Sequence, residues 1–415
     1  MEPKIRLKGY SKEWQQVRLG EIGSFKSAGV DKKINANESM INLLNYMDVY
    51  NKKDINASNC NELMHVSATS KQIQECNVLK GDIFFTPTSE TAEDIGHVMT
   101  IEEDLPNTCY SYHLMRFRPQ KDVFYGSFPN YGLESDYIRK QMVLAAKGVQ
   151  RMVIGKSDFD ALSVYLPTIN EQKDISKFFN NLNALIKACN QKIESLKQVK
   201  VASLQSMFPQ EGETSPRVRF KGFEGEWENK TLGECLTINN ERNQSNVYGI
   251  NDVLSVSDEV GVVNQIKLLG RSYAGKSVAN YRVLKTNQIV YTKSPLKSKP
   301  YGIVKVNKGA VGIVSVLYAV YDTSENVYPD YIHYYFEPTH RINNYLLPLI
   351  NKGAKNTMNI SDEMALTGNI WIPSFDEQKK IADYLQALDS QIILQTQRLE
   401  KLKQIKSACL DNMFV

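Results

Sequence analysis

Long apolar runs are missing from this 415-residue chain. None approaches the roughly 18 residues that a membrane-crossing helix needs. The opening stretch Met1–Trp14 has no apolar core of the kind a secretory leader carries. Cysteine is sparse, with six residues at positions 60, 76, 109, 189, 235 and 409 and no CxxC pair, which argues against a zinc site. Cys189 and Cys409 fall on apolar helical faces, the placement of free thiols in a reducing cytoplasm. The five histidines (65, 97, 113, 333 and 340) show no metal-ligand spacing. No NPPY-like or DPPF-like tetrad occurs, and no nucleophile constellation can be assembled. One further absence is local: between Val260 and Tyr321 there is no Asp or Glu at all.

What is present is repetition. RLKGYSKEWQQVRLGEI from Arg6 returns as RFKGFEGEWENKTLGEC from Arg219. LPTINEQKDISKFFNNL from Leu166 returns as IPSFDEQKKIADYLQAL from Ile372. ESLKQVKVASLQSMF, ending at Phe208, returns as EKLKQIKSACLDNMF, ending at Phe414. Such self-similarity decides the architecture before any local reading does. Two halves alike at their ends and unlike in the middle imply one scaffold carrying two different bodies.

Each body is rich in Thr, Tyr, Val and Ile, broken by Gly, Pro and Asn, which predicts α/β (α+β) structure with short strands and exposed loops. Asp82–Thr86 and Gln288–Thr292 are strand candidates. A long helix follows each body. Asn170 and Asp376 are the expected N-caps, each followed by Glu-Gln, where negative charge suits the helix dipole. Apolar residues then recur at three- and four-residue steps. In the first helix they are Ile175, Phe179, Leu182, Ile186, Cys189, Ile193 and Leu196. In the second they are Ile381, Leu385, Leu388, Ile392, Leu399 and Leu402. This is a coiled-coil seam, interrupted by Gln395 and Lys406. At 1.5 Å per residue each helix would reach roughly 55 Å. A pseudo-two-fold internal repeat would make the pair antiparallel and bring Val415 near the N-terminal segment. The expected divisions are 1–169 for the first body, 170–208 for its helix, 209–218 for a linker, 219–375 for the second body and 376–415 for its helix.

Three motifs invite enzymatic readings. Gly270-Arg-Ser-Tyr-Ala-Gly275-Lys276-Ser277 fits the phosphate-loop pattern, with Asp322 after an apolar run as a magnesium-holding carboxylate. Such a loop must open a helix. Ser277–Val283 reads as extended chain, and the first body has no glycine pair near Thr69-Ser70-Lys71. Glu171-Gln-Lys173 and Glu377-Gln-Lys379 mimic half of a nuclease metal site, but helix capping accounts for both. Phe220–Gly225 faintly resembles a methyltransferase cofactor loop, yet no strand precedes it. An NTPase or helicase built on Gly275-Lys276-Ser277, and a structural protein-binding adaptor, are the alternatives carried forward.

Charge carries more. The acid-free stretch holds Lys267, Arg271, Lys276, Arg282, Lys285, Lys293, Lys297, Lys299, Lys305 and Lys308, interleaved with Ser, Thr, Asn and Tyr. Cations bind phosphate, while amides and hydroxyls can read base edges. In the first body the loop Lys147-Gly-Val-Gln150-Arg151, followed by Lys156, corresponds to Lys352-Gly-Ala-Lys355-Asn356-Thr357-Met-Asn359 in the second. Glu90, Glu93, Asp94, Glu102, Glu103 and Asp104 of the first body read as solvated surface.

With the boundaries in view, the chain resembles the specificity subunit of type I restriction-modification enzymes along essentially its whole length. The resemblance rests on Trp14-x4-Leu19-Gly20-Glu21 and Trp227-x4-Leu232-Gly233-Glu234. It rests also on Pro167-x3-Glu171-Gln172-x2-Ile175 and Pro373-x3-Glu377-Gln378-x2-Ile381. Gly81-Asp-Ile-Phe-Phe-Thr86 is similar to a GDI-type strand of that family, from which Asn287-Gln-Ile-Val-Tyr-Thr292 departs.

The resemblance implies two target-recognition domains held apart by two antiparallel helices, each domain reading half of a bipartite, asymmetric site in double-stranded DNA. It implies a chain without catalytic activity or cofactor of its own. Two modification subunits would bring S-adenosylmethionine and methylate adenine; restriction subunits, with ATP and Mg, would cleave. The expected DNA contacts are Thr86, Thr88, Ser89, Gln150, Arg151 and Lys156 in the first domain. In the second they are Arg271, Lys276, Lys293, Ser294, Lys297, Lys299, Lys355, Asn356 and Asn359. The seam residues, from Ile175 to Leu196 and from Ile381 to Leu402, are the expected helix-packing and partner-docking set.

Overall fold

A computed structural model describes residues 2–294, 299–352 and 358–415, with the side chains of 351, 352, 358 and 359 left out of the description. The chain divides into two compact units. Unit 1 comprises Met1–Asn190 with Gln397–Val415, and unit 2 comprises Gln191–Thr396. Each long helix contributes to both.

In unit 1 a four-stranded antiparallel sheet is built from β1 (Gly23–Lys26), β2 (Ile83–Phe85), β3 (Val98–Thr100) and β4 (Met115–Pro119), in the order β1-β4-β2-β3. In unit 2 the sheet is built from β5 (Leu236–Ile238), β6 (Ile289–Thr292), β7 (Val304–Val306) and β8 (Tyr318–Thr323). Its order is β5-β8-β6-β7, again antiparallel throughout. The two sheets therefore share one topology. A two-stranded ribbon closes each unit: Gln15–Arg18 pairs with Ser163–Leu166, and Glu228–Thr231 with Asn369–Ile372.

Both predicted strands are present, and the departure of Asn287 from the GDI pattern has a local reason. Gly81 has φ +88° and Asn287 has φ +67°, the left-handed region that glycine and asparagine tolerate best. The next residue fastens the turn in both units. Asp82 Oδ2 accepts from the Leu79 amide at 2.9 Å, and Gln288 Oε1 accepts from the Lys285 amide at 2.6 Å. The same two residues reach the neighbouring strand. Asp82 takes a bidentate bond from Arg118 at 2.6 and 2.7 Å, whereas Gln288 Nε2 donates to Asp322 at 2.7 Å. Asp322, the carboxylate of the phosphate-loop reading, is thus a sheet residue that also accepts from Asn239.

The bodies diverge beyond the sheet. Unit 1 adds a three-stranded layer, with Ser39–Leu44 between Met64–Ala68 and Thr108–Tyr110. It covers a core of its own around Ile41, Leu43, Val66 and Tyr110. Unit 2 instead has a hairpin, Leu254–Ser257 with Gly261–Asn264, and a strand pair, Arg282–Leu284 with Gly312–Val314.

The helices are α1 (Ile169–Ser206) and α2 (Phe375–Asn412). They start one residue earlier than expected, so Asn170 and Asp376 lie inside the first turn. Thr168 takes the capping place, its Oγ1 accepting from the Glu171 amide at 3.4 Å. Ile175, Phe179, Leu182, Cys189, Ile193, Leu196, Ile381, Leu385, Leu388 and Leu399 are buried, while Ile186, Ile392 and Leu402 are half-buried. The first turns of α1 (Ile175, Phe179) share a cluster with Met413 and Phe414 in unit 1. In unit 2 the last turn of α1 (Leu204) and the residues just after it (Met207, Phe208) share a core with Ile381 and Leu385 of α2. Phe414 meets Trp14 edge-on at 6.2 Å, and the Ile5 amide donates to the Asn412 carbonyl at 2.9 Å. The C-terminal residues therefore do lie against the N-terminal segment. Phe208 meets Trp227 edge-on at 6.4 Å in the same manner.

Candidate nucleic-acid interface

The duplicated Glu-Gln motifs are fasteners in both units. Glu171 and Glu377 are each about 1% exposed. Arg6 holds Glu171 through two bonds of 2.7 and 2.8 Å, and Arg219 holds Glu377 through two of 2.6 and 2.7 Å. Each carboxylate keeps its arginine's pKa above the ordinary value by this bond. The glutamines tie the helix to the body. Gln172 accepts from the Tyr125 amide and donates to the Val123 and Pro167 carbonyls; Gln378 accepts from the Tyr328 amide and donates to the Asn326 and Pro373 carbonyls. Carboxylates saturated in this way are structural. Among the described residues no group of His, Cys, Asp and Glu could hold a metal.

The phosphate-loop pattern lacks its context. Gly270, at φ +75°, ends the short helix Gln265–Leu269 instead of preceding one. Residues 271–281 contain no helix, and the chain next enters the strand Arg282–Leu284. No helix therefore opens at Lys276.

In unit 1 two segments far apart in sequence meet. Met152–Val153 pairs with Thr88–Ser89, placing the loop Lys147–Arg151 beside Thr88. Lys147 and Val153 exchange backbone bonds of 3.0 and 2.9 Å, and Gly148 takes φ +146°, so the loop is a tight projecting turn with Val149 fully exposed. Gln150 and Arg151 are exposed, and Arg151 donates to Thr88 Oγ1 at 3.2 Å. Lys156 is exposed and paired with Asp160 at 3.5 Å. Two expectations are corrected. Thr86 is fully buried, its hydroxyl accepting from the His97 amide at 2.9 Å, and Ser89 is buried, donating to the Thr91 carbonyl. Both hydroxyls are spent on backbone groups inside the body. Sequence reasoning missed Tyr46, whose hydroxyl donates to the Thr88 carbonyl at 2.6 Å and whose pKa is raised by burial. It also missed His113, whose pKa is lowered by burial and then by Lys32 and Arg151. Nothing in the local pattern around either residue announces this neighbourhood, because the contacts are long-range.

In unit 2 the acid-free stretch is largely neutralised from outside. Asp362, buried with its side chain only 8% exposed, bridges Arg282 and Lys293. Burial works against its charge, but the two cations hold its pKa below the ordinary carboxylate value. Asp258 lies 3.7 Å from Lys299 and 3.5 Å from Lys305, both buried. Glu241 pairs with Lys285 and Asp330 with Lys308. Lys299 and Lys293 are corrections: the first is buried and donates to the Glu337 carbonyl, and the second is bound to Asp362. Arg271 and Lys276 are exposed, joined by Lys267, and among the described residues they have no ion pair. Arg271 lies over the ring of Tyr273 at 4.6 Å, and Tyr273 is itself exposed. An exposed Arg stacked on an exposed Tyr is suited to phosphate and base faces. Ser294 is half-buried. Lys297, Lys355 and Asn356 lie outside the described residues, and Asn359 is described only as backbone paired with Asn351.

The buried seam residues offer no surface to a partner. Ile169, Leu185, Val199, Val201, Phe375, Ile393, Leu394 and Ile405 are the exposed large apolar residues of the helices among the described residues. Cys60, Cys76, Cys109, Cys235 and Cys409 are free thiols. Among the described residues no helix is long and apolar enough to cross a membrane.

Comparison with known proteins agrees with this geometry. A family model described as the type I restriction modification DNA specificity domain matches residues 11–198 and again 224–404. A curated relative is the putative type I restriction enzyme MjaX specificity subunit of Methanocaldococcus jannaschii, 23% identical over 359 residues, or 82% of this chain and 79% of that one. Among solved structures, the S subunit of a type I restriction-modification system from M. genitalium is similar at TM-score 0.57 and 13% identity, covering 100% of this chain and 99% of the other. A chain from a study of complex assembly and conformational transition of the type I R-M system is similar at TM-score 0.50 and 15% identity, covering 97% and 98%.

Proposed function

Because the chain belongs to the type I restriction-modification DNA specificity family, we propose that it is the non-catalytic DNA-recognition subunit of such a complex, each unit reading one half of a bipartite, asymmetric site. One observation carries the reading. The sheets, closing ribbons and Glu-Gln fasteners recur in both units, while the loops that carry free cations differ. A shared frame with unlike loops is what two readers of unlike half-sites require.

In this reading Gln150 and Arg151, with Thr88 behind them, serve the first half-site, and Arg271 with Lys276 serve the second. The lysines fix phosphate more than they choose bases. The helices act as an antiparallel spacer of fixed length, so both half-sites are read from one face of the duplex about a turn apart. Modification subunits carrying S-adenosylmethionine dock on the helices through residues such as Leu185, Ile393 and Leu394, which the units leave exposed. Restriction subunits supply ATP-driven cleavage, and the whole complex works in the cytoplasm.

The test is a domain exchange. Residues 25–165 are replaced by the corresponding body of another family member, and the methylome of cells carrying the partner subunits is sequenced. One half of the methylated site changes and the other is kept. Alteration of both halves would refute independent reading.

A further inference from the structure

The duplicated helices allow an internal comparison of one lysine in two settings. In the matching sequences Lys406 stands where the first copy has Lys200, and Asn183 stands where the second copy has Asp389. In unit 2 Lys200 is half-buried and doubly satisfied. Its ammonium lies 2.6 Å from Glu337 and 2.6 Å from Asp389, and Tyr334 donates to the other Asp389 oxygen at 2.9 Å. Burial opposes this charge, yet the two carboxylates raise its pKa above the ordinary value.

Unit 1 keeps the frame and lacks the carboxylates. Asn183 donates to the Tyr131 hydroxyl at 3.0 Å, as a neutral counterpart of the Asp389–Tyr334 contact. Glu134 is drawn away: Lys52 pairs with one oxygen, and the Val98 amide donates to the other at 2.8 Å. Lys406 is half-buried and, among the described residues, has no carboxylate within ion-pair distance. Burial and the Lys52 charge pull its pKa down, against the pull of Glu134.

Lys406 lines a cavity of about 640 Å³ in unit 1. The wall supplies hydrogen-bond donors. Thr100 is 8% exposed, and its hydroxyl has no partner. Asn130 and Asn180 also line the cavity, and each uses its carbonyl oxygen as acceptor, from the Thr100 amide at 2.7 Å and the Tyr131 hydroxyl at 3.0 Å respectively. That assignment leaves their amide N–H groups as donors. Two of the three acidic wall residues are engaged: Asp54 pairs with Lys187 at 3.3 Å, and Glu103 accepts from the Ala57 amide at 2.7 Å. The third, Glu102, is exposed.

We propose that this cavity is a binding site for a small oxyanion, a carboxylate or phosphate group held by Lys406, Thr100 and the asparagine amides. The anion takes the place that Asp389 and Glu337 fill in unit 2. A buried ammonium is stable when it is paired and hydrogen-bonded, and unit 2 shows the pairing this position favours. The site differs from the DNA-facing loops and does not depend on how they read a sequence.

Calorimetric titration of the full-length chain in chloride buffer of matched ionic strength tests the proposal. Inorganic phosphate is the probe in one arm and succinate in the other. Saturable heat is expected in at least one arm, and the arm that responds identifies the anion class. Lys406→Met weakens binding at least tenfold. Asn183→Asp restores the internal carboxylate, so it abolishes anion binding and raises the melting temperature in anion-free buffer. Absence of saturable heat in both arms overturns the proposal. So does binding by Asn183→Asp or Lys406→Met as tight as that of the wild type, which would mean an adventitious ion only.

Discussion

Removing the Glu377 carboxylate strands Arg219. The guanidinium makes two charge-assisted bonds to Glu377 and two to the Gly225 and Glu224 carbonyls, and its side chain is 20% exposed. Breaking a buried pair from one side costs about 3–5 kcal/mol, because the remaining charge keeps its desolvation penalty. That is a large part of the roughly 5–15 kcal/mol available to a domain. Glu377→Leu is therefore expected to destabilise unit 2 by about 3–5 kcal/mol. The double variant Arg219→Met/Glu377→Leu removes both charges and should lie within about 1 kcal/mol of wild type. Urea unfolding can follow this through Trp227 and Trp371 in a Trp14→Phe background, since Trp14 belongs to unit 1. With a slope of about 2 kcal/mol per M, the single variant lowers the midpoint by roughly 1.5–2.5 M. Two outcomes would refute the reasoning: a single-variant shift below about 0.5 M, or a double variant as unstable as the sum of the two single variants.

Two further predictions concern pH and salt. Burial, with Lys305 and Lys200 close by, holds the His333 imidazole down to about 3, against the Val304 carbonyl. The unfolded chain takes that proton near pH 6.5 and the folded chain does not, so this contribution is complete above about 6.5 and falls by about 1.4 kcal/mol per pH unit below it. Wild type should lose about 1.4 kcal/mol more than His333→Gln between pH 7.5 and 5.5, read from paired urea midpoints, and equal losses would contradict the assignment. For DNA binding by the assembled complex, Arg271→Ala and Lys276→Ala should each reduce the slope of log K against log salt by about one. An unchanged slope would remove them from the interface, and ATP turnover lost in Lys276→Ala would revive the phosphate-loop reading.

The scaffold was legible because it is written twice. Period-3.6 burial in α1 and α2, the Glu-Gln turn and the closing tryptophans can be read from the repeated segments alone. The cationic surface was far less legible. A stretch of sixty residues without an acid looks open in sequence, but Asp258, Glu241, Asp330 and Asp362 come to it from outside the stretch. Local sequence reports which charges are near in the chain, and ion pairing depends on which are near in space. Thr86 and Ser89 failed for a different reason. A hydroxyl at a strand end can bond backbone instead of facing outward, and here both do, Thr86 with the His97 amide and Ser89 with the Thr91 carbonyl. Asn287 shows the opposite case, a residue whose departure from a motif kept the backbone conformation the motif encodes.

Phe414 sits in the aromatic cluster of the unit whose first strand begins at Gln15. Unit 2 is one uninterrupted stretch, whereas unit 1 is completed only by residues 397–415. On the ribosome the order of synthesis is thus reversed in the order of completion. The body made second can finish folding while the body made first still exposes the faces of Trp14, Phe128 and Phe179. Those rings must stay soluble until the last turn of α2 arrives, so a stalled or clipped chain exposes its apolar surface in the older half of the molecule.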